Sequence, residues 1–308
     1  MLLLGPLLGA PASPRGYTTG NFALELDGSP AGVLKSVDGG NIRGEVVAQP
    51  PALVNKHLGG VRYEQFEVQT GLAMAPVFQE WIAGTLRRQA PRRNGAVTTA
   101  DFNHKATSRR RFSEALITEV GFPTLDGASK EAAYLTVKFA PGSIREEKAG
   151  GEDVRGTLGQ KQKNWQVSNF AFRLDGLPTG RVWKIEAFTV KQGIATDSVG
   201  PAREPQIVPT AVEIPNLKVT FGAADAEAWQ RWFDDFVIKG NNGQDRERSG
   251  TITFLSTNLR DELGSIELMN VGIVALYPAE GEAGEASLAR FTAELYVEQM
   301  DLKLNPLP

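Results

Sequence analysis

The residue types that most often carry chemistry are scarce in this chain of 308 residues. It has no cysteine, which excludes disulfides, thiolate metal sites and a cysteine nucleophile. Its two histidines, His57 and His104, lie in polar stretches, and no cluster of His, Asp and Glu has metal-ligand spacing. Phosphate-binding, dinucleotide-binding and Gly-x-Ser-x-Gly motifs are missing as well. We therefore predict no catalytic, cofactor-binding or metal-binding residue, and we place both histidines in surface loops.

Arginines form two clusters that could bind a polyanion. Four lie within residues 87–93 and three form Arg109–Arg111. Clusters of this kind can mark a nucleic-acid surface, but no aromatic residues for base stacking are interleaved with them. The second half of the chain has Asp234 and Asp235 where the first has its arginines. A solvated or subunit-facing role is the better interpretation.

One segment of the chain occurs twice. Residues 21–32 read NFALELDGSPAG and residues 169–180 read NFAFRLDGLPTG, so that eight of twelve positions are identical at a spacing of 148. Self-similarity at a fixed period indicates a repeated structural unit. Here the period has the size of a domain.

The repeat continues downstream in the same order. At a spacing of 151, Phe66–Val68 matches Leu217–Val219, and FQEW at 78–81 matches WQRW at 229–232. At a spacing of 155, GAVT at 95–98 matches GTIT at 250–253. A slow drift of the spacing is what small loop insertions produce. The sequence therefore predicts an internal duplication.

Each copy predicts the same series of elements. Alternating apolar residues and an Asp-Gly turn open a hairpin, and long polar stretches follow at 39–60 and 191–210. After a further strand, an aromatic stripe predicts one helix, with Pro76 in its first turn in copy one and Asp225 as its N-cap in copy two. Gly240 is expected to end the second helix. Several strands close each copy.

This pattern predicts a mainly β protein. We expect two tandem antiparallel β-sandwich or barrel domains, each with one flanking α-helix. The predicted division is an N-terminal arm at 1–19, domain 1 at 20–142, a linker at 143–166 and domain 2 at 167–308. The five leucines of the arm favour an apolar segment that packs on a domain or a neighbour over a signal peptide, because the arm lacks a basic start.

Net charge differs between the halves of the chain. Residues 1–150 carry +3 and residues 151–308 carry −6, which together give the net −3 of the whole chain. One interpretation is drift of solvated surfaces. The other is that the two copies face each other, because complementary charge fixes register and choice of partner.

The order of these features is similar to that of the tail tube protein family of tailed phages and contractile injection systems. The resemblance is carried by Phe-x-x-x-Leu-Asp-Gly-x-x-x-Gly at the start of a domain, a helix with Trp81, and the run Arg92-Arg93-Asn94-Gly95. It covers residues 20–140 well. It covers residues 168–304 more loosely, since Arg248-Ser249-Gly250 stands in place of the arginine run.

The resemblance implies a structural role. Subunits of this family join their sheets edge to edge into rings, and the rings stack into a hollow tube that DNA or an effector protein traverses. Because single-domain members place six units in a ring, a chain with two units would close a pseudo-sixfold ring as a homotrimer. The long polar stretches and the N-terminal arm would then bridge one ring to the next.

The implied partners are other copies of this chain, within and between rings, and sheath, tape measure, baseplate or terminator proteins. The implied location is a virion tail or injection-system particle that is assembled in the cytoplasm, without membrane insertion and without a cofactor. Two alternatives stay open. One is a tube-end or baseplate hub adaptor of the same architecture, and the other is a ligand-binding β-sandwich protein or an enzyme with an unmarked site.

Overall fold

Alternation of buried and exposed residues turns most of the chain into antiparallel strands. The pattern is clear in Phe66–Thr70, where buried side chains alternate with partly exposed ones. A computed structural model of the protein describes residues 20–48, 56–154, 165–197, 206–279 and 289–305. The predicted arm at 1–19 therefore lies outside the described residues.

The elements of the first half follow the predicted order of strands, helix and strands. They are β1 (Asn21–Leu26), β2 (Ser29–Gly39), β3 (Ile42–Ala48), β4 (Lys56–Tyr63), β5 (Phe66–Thr70), α1 (Pro76–Leu86), β6 (Arg93–Ala100), β7 (Ala106–Phe122), β8 (Leu125–Asp126), β9 (Leu135–Ala140) and β10 (Ser143–Lys148).

The second half has the same order. Its elements are β11 (Phe170–Leu174), β12 (Val182–Ile185), β13 (Phe188–Asp197), β14 (Gln206–Glu213), β15 (Leu217–Gly222), α2 (Ala226–Phe233), β16 (Arg248–Leu255), β17 (Glu262–Pro278) and β18 (Arg290–Leu304).

The first domain is a closed barrel. Its strands follow the order β7-β6-β1-β2-β5-β9, and β9 pairs with β7 again, which closes six strands into a ring. The interior is aromatic, since Phe66 stacks on Phe139 at 4.9 Å and Trp81 of α1 lies 5.3 Å from Phe139. Full closure leaves no free edge around the barrel wall.

The second domain is an open version of the same sheet. Its strands follow the order β11-β16-β17-β18-β15-β12, with β8 of the first domain added beside β12. Within the described residues β11 and β12 do not pair, so the barrel stays half closed. Trp229 of α2 stacks on Phe221 at 4.6 Å and fills the core of this half-barrel. The prediction of a mainly β protein with two barrel-like domains and flanking helices is confirmed.

Three local expectations were wrong or need correction. The stretches 39–60 and 191–210, predicted as polar connections, contain the hairpins β3–β4 and β13–β14. Exposed residues fill most of both hairpins and hide the strand pattern. Only the start of β13, where Phe188, Val190 and Gln192 are buried, keeps a period of two. The predicted linker contains β10, which pairs with β7. Its residues 155–164 fall outside the described chain, so the domain boundaries stay predictions.

The helix ends also differ in part from expectation. Pro76 begins α1 as predicted, but the Asp225 side chain makes no capping hydrogen bond because a short 3-10 turn precedes α2. A π-helical turn at Asp234–Ile238 extends α2, and Gly240 at φ +73° follows where the stop was expected.

Candidate assembly interface

The two domains meet through a strand pairing that continues one sheet into the next. Strand β13 of the second domain pairs antiparallel with the end of β7 in the first, with Phe188 opposite Phe122 and Lys191 opposite Glu119. The rings of Phe122 and Phe188 stack with their centroids 4.7 Å apart. Backbone groups that would otherwise form an exposed edge are thereby paired.

Helix α1 makes the second contact of this junction by packing against β18. Arg87 at its C-terminal end forms an ion pair with Asp301 at 3.1 Å, and Arg88 donates to the carbonyl of Glu298 at 2.6 Å. Ion pairs at partly exposed positions contribute at most about 1 kcal/mol each. The strand pairing and the apolar contacts therefore carry most of the junction, and the arginines set its orientation.

The first arginine cluster faces the second domain. Besides Arg87 and Arg88, Arg92 donates to the carbonyl of Ile207 in β14. The fourth member, Arg93, contacts Asp27 at 3.0 Å in its own domain. These contacts agree with the subunit-facing interpretation of the cluster.

The second arginine cluster is engaged within the first domain. Arg109 pairs with Glu25 at 2.6 Å and Arg111 with Glu147 at 2.9 Å. The hydrogen bond from Arg111 lowers the pKa of the Glu147 carboxyl, and burial lowers the pKa of Arg110. Because these pairs cross from β7 to β1 and β10, the cluster stabilises the barrel wall.

The two Asp-Gly turns are built on the same backbone contact. The N–H of Asp27 donates to the carbonyl of Asn94 at 2.8 Å, and the N–H of Asp175 donates to the carbonyl of Ser249 at 2.9 Å. The side chains then differ, since Arg248 donates to the backbone carbonyl of Asp175. The shared residues thus fix the end of the opening strand on its neighbour in both domains. Only β1 continues into a hairpin, with β2. The hairpin predicted for the second copy is wrong, because β11 pairs with β16 and does not pair with β12 in the described chain.

Irregularities in the sheets align the two domains independently of sequence identity. The β7–β9 ladder shifts register after Ile117, and the β17–β18 ladder shifts after Ile273. Ile117 lies opposite Phe139, which lies opposite Phe66. In the same way, Ile273 lies opposite Leu295, which lies opposite Leu217, the residue that matches Phe66 in the repeat. The end of β17 is therefore the structural equivalent of the end of β7.

The protruding hairpins align in the same way. The β3–β4 ladder shifts register after Gly44, and the β13–β14 ladder shifts after Gln192. These positions are 148 residues apart, the spacing of the opening motif. Hence β3 is the structural equivalent of β13, although β3 pairs only with β4 in the described chain.

The equivalent surfaces differ sharply in exposure. Val190 of β13 is 1% exposed, whereas its counterpart Ile42 of β3 is 42% exposed. Thr118 of β7 is 6% exposed, whereas Val274 of β17 is 43% exposed. The pairing of β13 with β7 covers Val190, and the Thr118 hydroxyl donates to the Gln65 side chain of its own domain. Ile42 and Val274 are left exposed.

Neither histidine lies in an arrangement that could hold a metal. His57 lies on strand β4 and not in a loop, opposite Val47 of β3, while His104 occupies a turn at φ +60°. Among the residues that the structure describes, no three His, Asp or Glu side chains converge. In the same part of the chain, no helix is long and apolar enough to cross a membrane.

A cleft of about 850 Å³ lies between the two protruding hairpins. Its lining includes Arg43 and Glu64 from the first hairpin region and Ile194 and Ile207 from the second. Arg43 and Glu64 form an ion pair with each other at its edge. The cleft thus belongs to the space between hairpins and not to a barrel interior, where a ligand-binding sandwich would be expected to hold its site.

A family comparison identifies the first domain. Residues 18–143 match the model of the family described as T4-like virus tail tube protein gp19. This segment belongs to the tail tube family. The tail tube segment spans the arm's last residues, the whole closed barrel and the start of β10. No curated protein matches the chain significantly.

Several solved structures are similar to the chain. A chain of "Cryo-EM Structure of an Extracellular Contractile Injection System, PVC sheath-tube complex in extended state" is 15% identical, with a TM-score of 0.37 over 44% of this chain and 95% of that one. A chain of the anti-feeding prophage baseplate is 15% identical, with a TM-score of 0.36 over 43% and 89%. Hcp1 from Flavobacterium johnsoniae is 15% identical, with a TM-score of 0.30 over 43% and 97%.

Sequence reasoning did not find the junction between the tail tube barrel and the second domain. The alternation in the stretch 188–191 is too short to distinguish a strand from a loop. The pairing partner at 119–122 lies about seventy residues away in the chain. The one available signal was the repeat itself, since it shows that every edge of the first domain should recur in the second.

Proposed function

We propose that this protein is a structural tail tube subunit, in which three two-domain chains form a pseudo-sixfold ring and rings stack into a hollow tube. The tail tube family of residues 18–143 supports the structural role. The observation that carries the ring is the pairing of β13 with β7, because it joins two barrel-like units edge to edge inside one chain.

The second unit is proposed to be a diverged copy of the first. This duplication is supported by the shared turn contacts, the equivalent register shifts and the equivalent helices α1 and α2. If the units are equivalent, the junction inside the chain has a counterpart between chains. A head-to-tail contact of this kind either closes into a ring or grows into an open filament. Six places filled by three chains would close it.

The proposed partners follow from that role. Other copies of the chain would be neighbours in the ring and in the stacked rings, and the arm at 1–19 and the long stretches at 39–60 and 191–210 would bridge rings. Sheath, tape measure, baseplate or terminator proteins would contact the tube, and DNA or an effector would pass through its lumen. The particle would be a phage tail or an injection system, assembled in the cytoplasm, and the role needs no catalysis, cofactor or membrane insertion.

Electron microscopy of the purified protein tests this proposal. We expect rings with six lobes that stack into tubes. Rings that never stack would assign the chain to the end of a tube or to a baseplate hub. Isolated particles the size of a single chain would contradict the ring and favour the unrelated class of ligand-binding β-sandwich.

A further inference from the structure

The open end of β17 is built to accept a strand. Its residues from 274 to 278 pair with β18 on one side only within the described chain. Two large side chains there are exposed, Val274 at 43% and Tyr277 at 38%. An apolar strand edge of this kind is a site for pairing with another chain, and soluble proteins normally cover or charge it.

The base of hairpin β3–β4 is the matching surface. Its first pair is Ile42 opposite Tyr63, and Ile42 is exposed although it is apolar. Its counterpart in the second domain, Val190, is buried because it pairs with Val120 of β7. In the first domain, the inserting strand β3 therefore has no strand edge to pair with in the described chain. In the second domain, the accepting edge at the end of β17 has no strand inserted on it.

The two surfaces do not pair within the described chain, where β3 pairs only with β4. The β13–β7 junction joins the domains through the equivalent edges, and α1 packs on β18. A second copy of the chain presents the missing acceptor in the same geometry that the chain displays internally. The junction that the chain already contains therefore indicates that β3 of a second copy occupies the β17 edge.

We infer that β3 of one chain pairs antiparallel with the end of β17 in a second copy, with Asn41 opposite Tyr277, Ile42 opposite Leu276 and Arg43 opposite Ala275. This register is derived from the junction inside the chain, where Thr189, Val190 and Lys191 lie opposite Gly121, Val120 and Glu119. The equivalent register shifts transfer these pairs to β3 and to the end of β17. The inference rests on the proposed ring and specifies its junction between chains.

The same contact would cover the exposed end of α2. Inside the chain, Arg87 after α1 reaches Asp301 of β18. Ile238, at the end of the π-helical turn that extends α2, is 70% exposed, and its neighbour Val237 is 39% exposed. Burial of these two apolar side chains against the next copy would make the junction between chains less dependent on charge than the internal one.

Because the chain has no cysteine, a pair of introduced cysteines can test the proposed register between β3 and β17 directly. Asn41→Cys and Tyr277→Cys, combined in one chain, are expected to form a disulfide between chains on mild oxidation. Every junction of a closed ring would then be linked, so non-reducing electrophoresis should show a covalent trimer that dithiothreitol returns to monomer.

Two control variants share this background. Gly121→Cys with Thr189→Cys should link within one chain, since a Cβ at Gly121 would lie 3.4 Å from the Thr189 hydroxyl. Asn41→Cys with Val274→Cys shifts one partner by three residues, about 10 Å along a strand, which is beyond the reach of a disulfide. We expect no covalent trimer from this shifted pair.

Two measurements distinguish a wrong strand register from the absence of a ring. Light scattering before oxidation reports whether the chains associate. Assembled rings in which the 41/277 pair does not cross-link, or in which the shifted 41/274 pair cross-links better, would overturn the register while leaving the ring intact. A protein that stays monomeric would overturn both.

Discussion

At the scale of single residues, close backbone approach decides where glycine is required. Gly95 lies in β6 where the strand crosses the end of β1, and a Cβ there would lie 2.2 Å from the carbonyl oxygen of Glu25. The counterpart Gly250 is similarly close to the carbonyl of Arg173, at 2.6 Å. The Gly-Ala-Val-Thr and Gly-Thr-Ile-Thr matches of the sequence therefore mark the same crossing in both domains.

We predict that Gly95→Ala lowers the free energy of unfolding by about 1–3 kcal/mol, because the added methyl group has to displace backbone. Gly60→Ala is the matched control, since a Cβ there meets nothing within 4 Å. That control should change stability by less than about 0.5 kcal/mol. Equilibrium urea unfolding measures both, and equal effects of the two substitutions would contradict this account of the crossing.

At the scale of elements, the two helices occupy equivalent places but differ in what covers them. Leu86 at the end of α1 is 1% exposed, and Val237 after α2 is 39% exposed. The spacing of 151 that aligns FQEW with WQRW also aligns these two residues. Two things differ at these ends. Helix α1 packs on β18, and α2 is extended by a π-helical turn at Asp234–Ile238 that rotates its last side chains relative to those of α1.

Truncation of these two side chains should act on different equilibria. Leu86→Ala is expected to cost about 2–5 kcal/mol in unfolding of the separated chain, because it leaves a cavity in a buried site. Val237→Ala should cost less than about 1 kcal/mol in the same measurement and should instead weaken association of chains. Urea unfolding of the dilute chain and ring dissociation on dilution separate the two effects. Equal losses in unfolding would show that the two sites are equally covered.

The elements were predictable in proportion to their burial. The helices, the first opening hairpin and the closing strands were found because buried aromatic and aliphatic residues recur at fixed spacing, as in Trp229 and Trp232. The hairpins β3–β4 and β13–β14 were missed because Val46 and Leu58 lie among exposed polar residues. A strand whose purpose is pairing at an edge shows little of the alternation that identifies a strand in a core.

At the scale of the whole molecule, the chain is one closed and one open barrel joined by the pairings of β13 with β7 and of β12 with β8. The resemblance to the tail tube family implied a ring, but the sequence did not say which edges form it, because pairing partners in a sheet depend on contacts distant in sequence. The structure supplies one junction in full, and the open end of β17 and the exposed β3 show where its counterpart is missing. The contrast in charge between the halves is partly explained, since Arg87 of the first domain forms an ion pair with Asp301 of the second.

The mass of the protein in solution tests the ring most directly. Light scattering coupled to size exclusion should give three times the chain mass of 33.3 kDa, or larger multiples that correspond to stacked rings. A variant with Ile42→Asp and Val274→Asp is expected to fall to the mass of one chain while keeping its unfolding midpoint, since both side chains are exposed in the single chain. A wild-type protein that stays at the mass of one chain across the accessible concentrations would contradict the account.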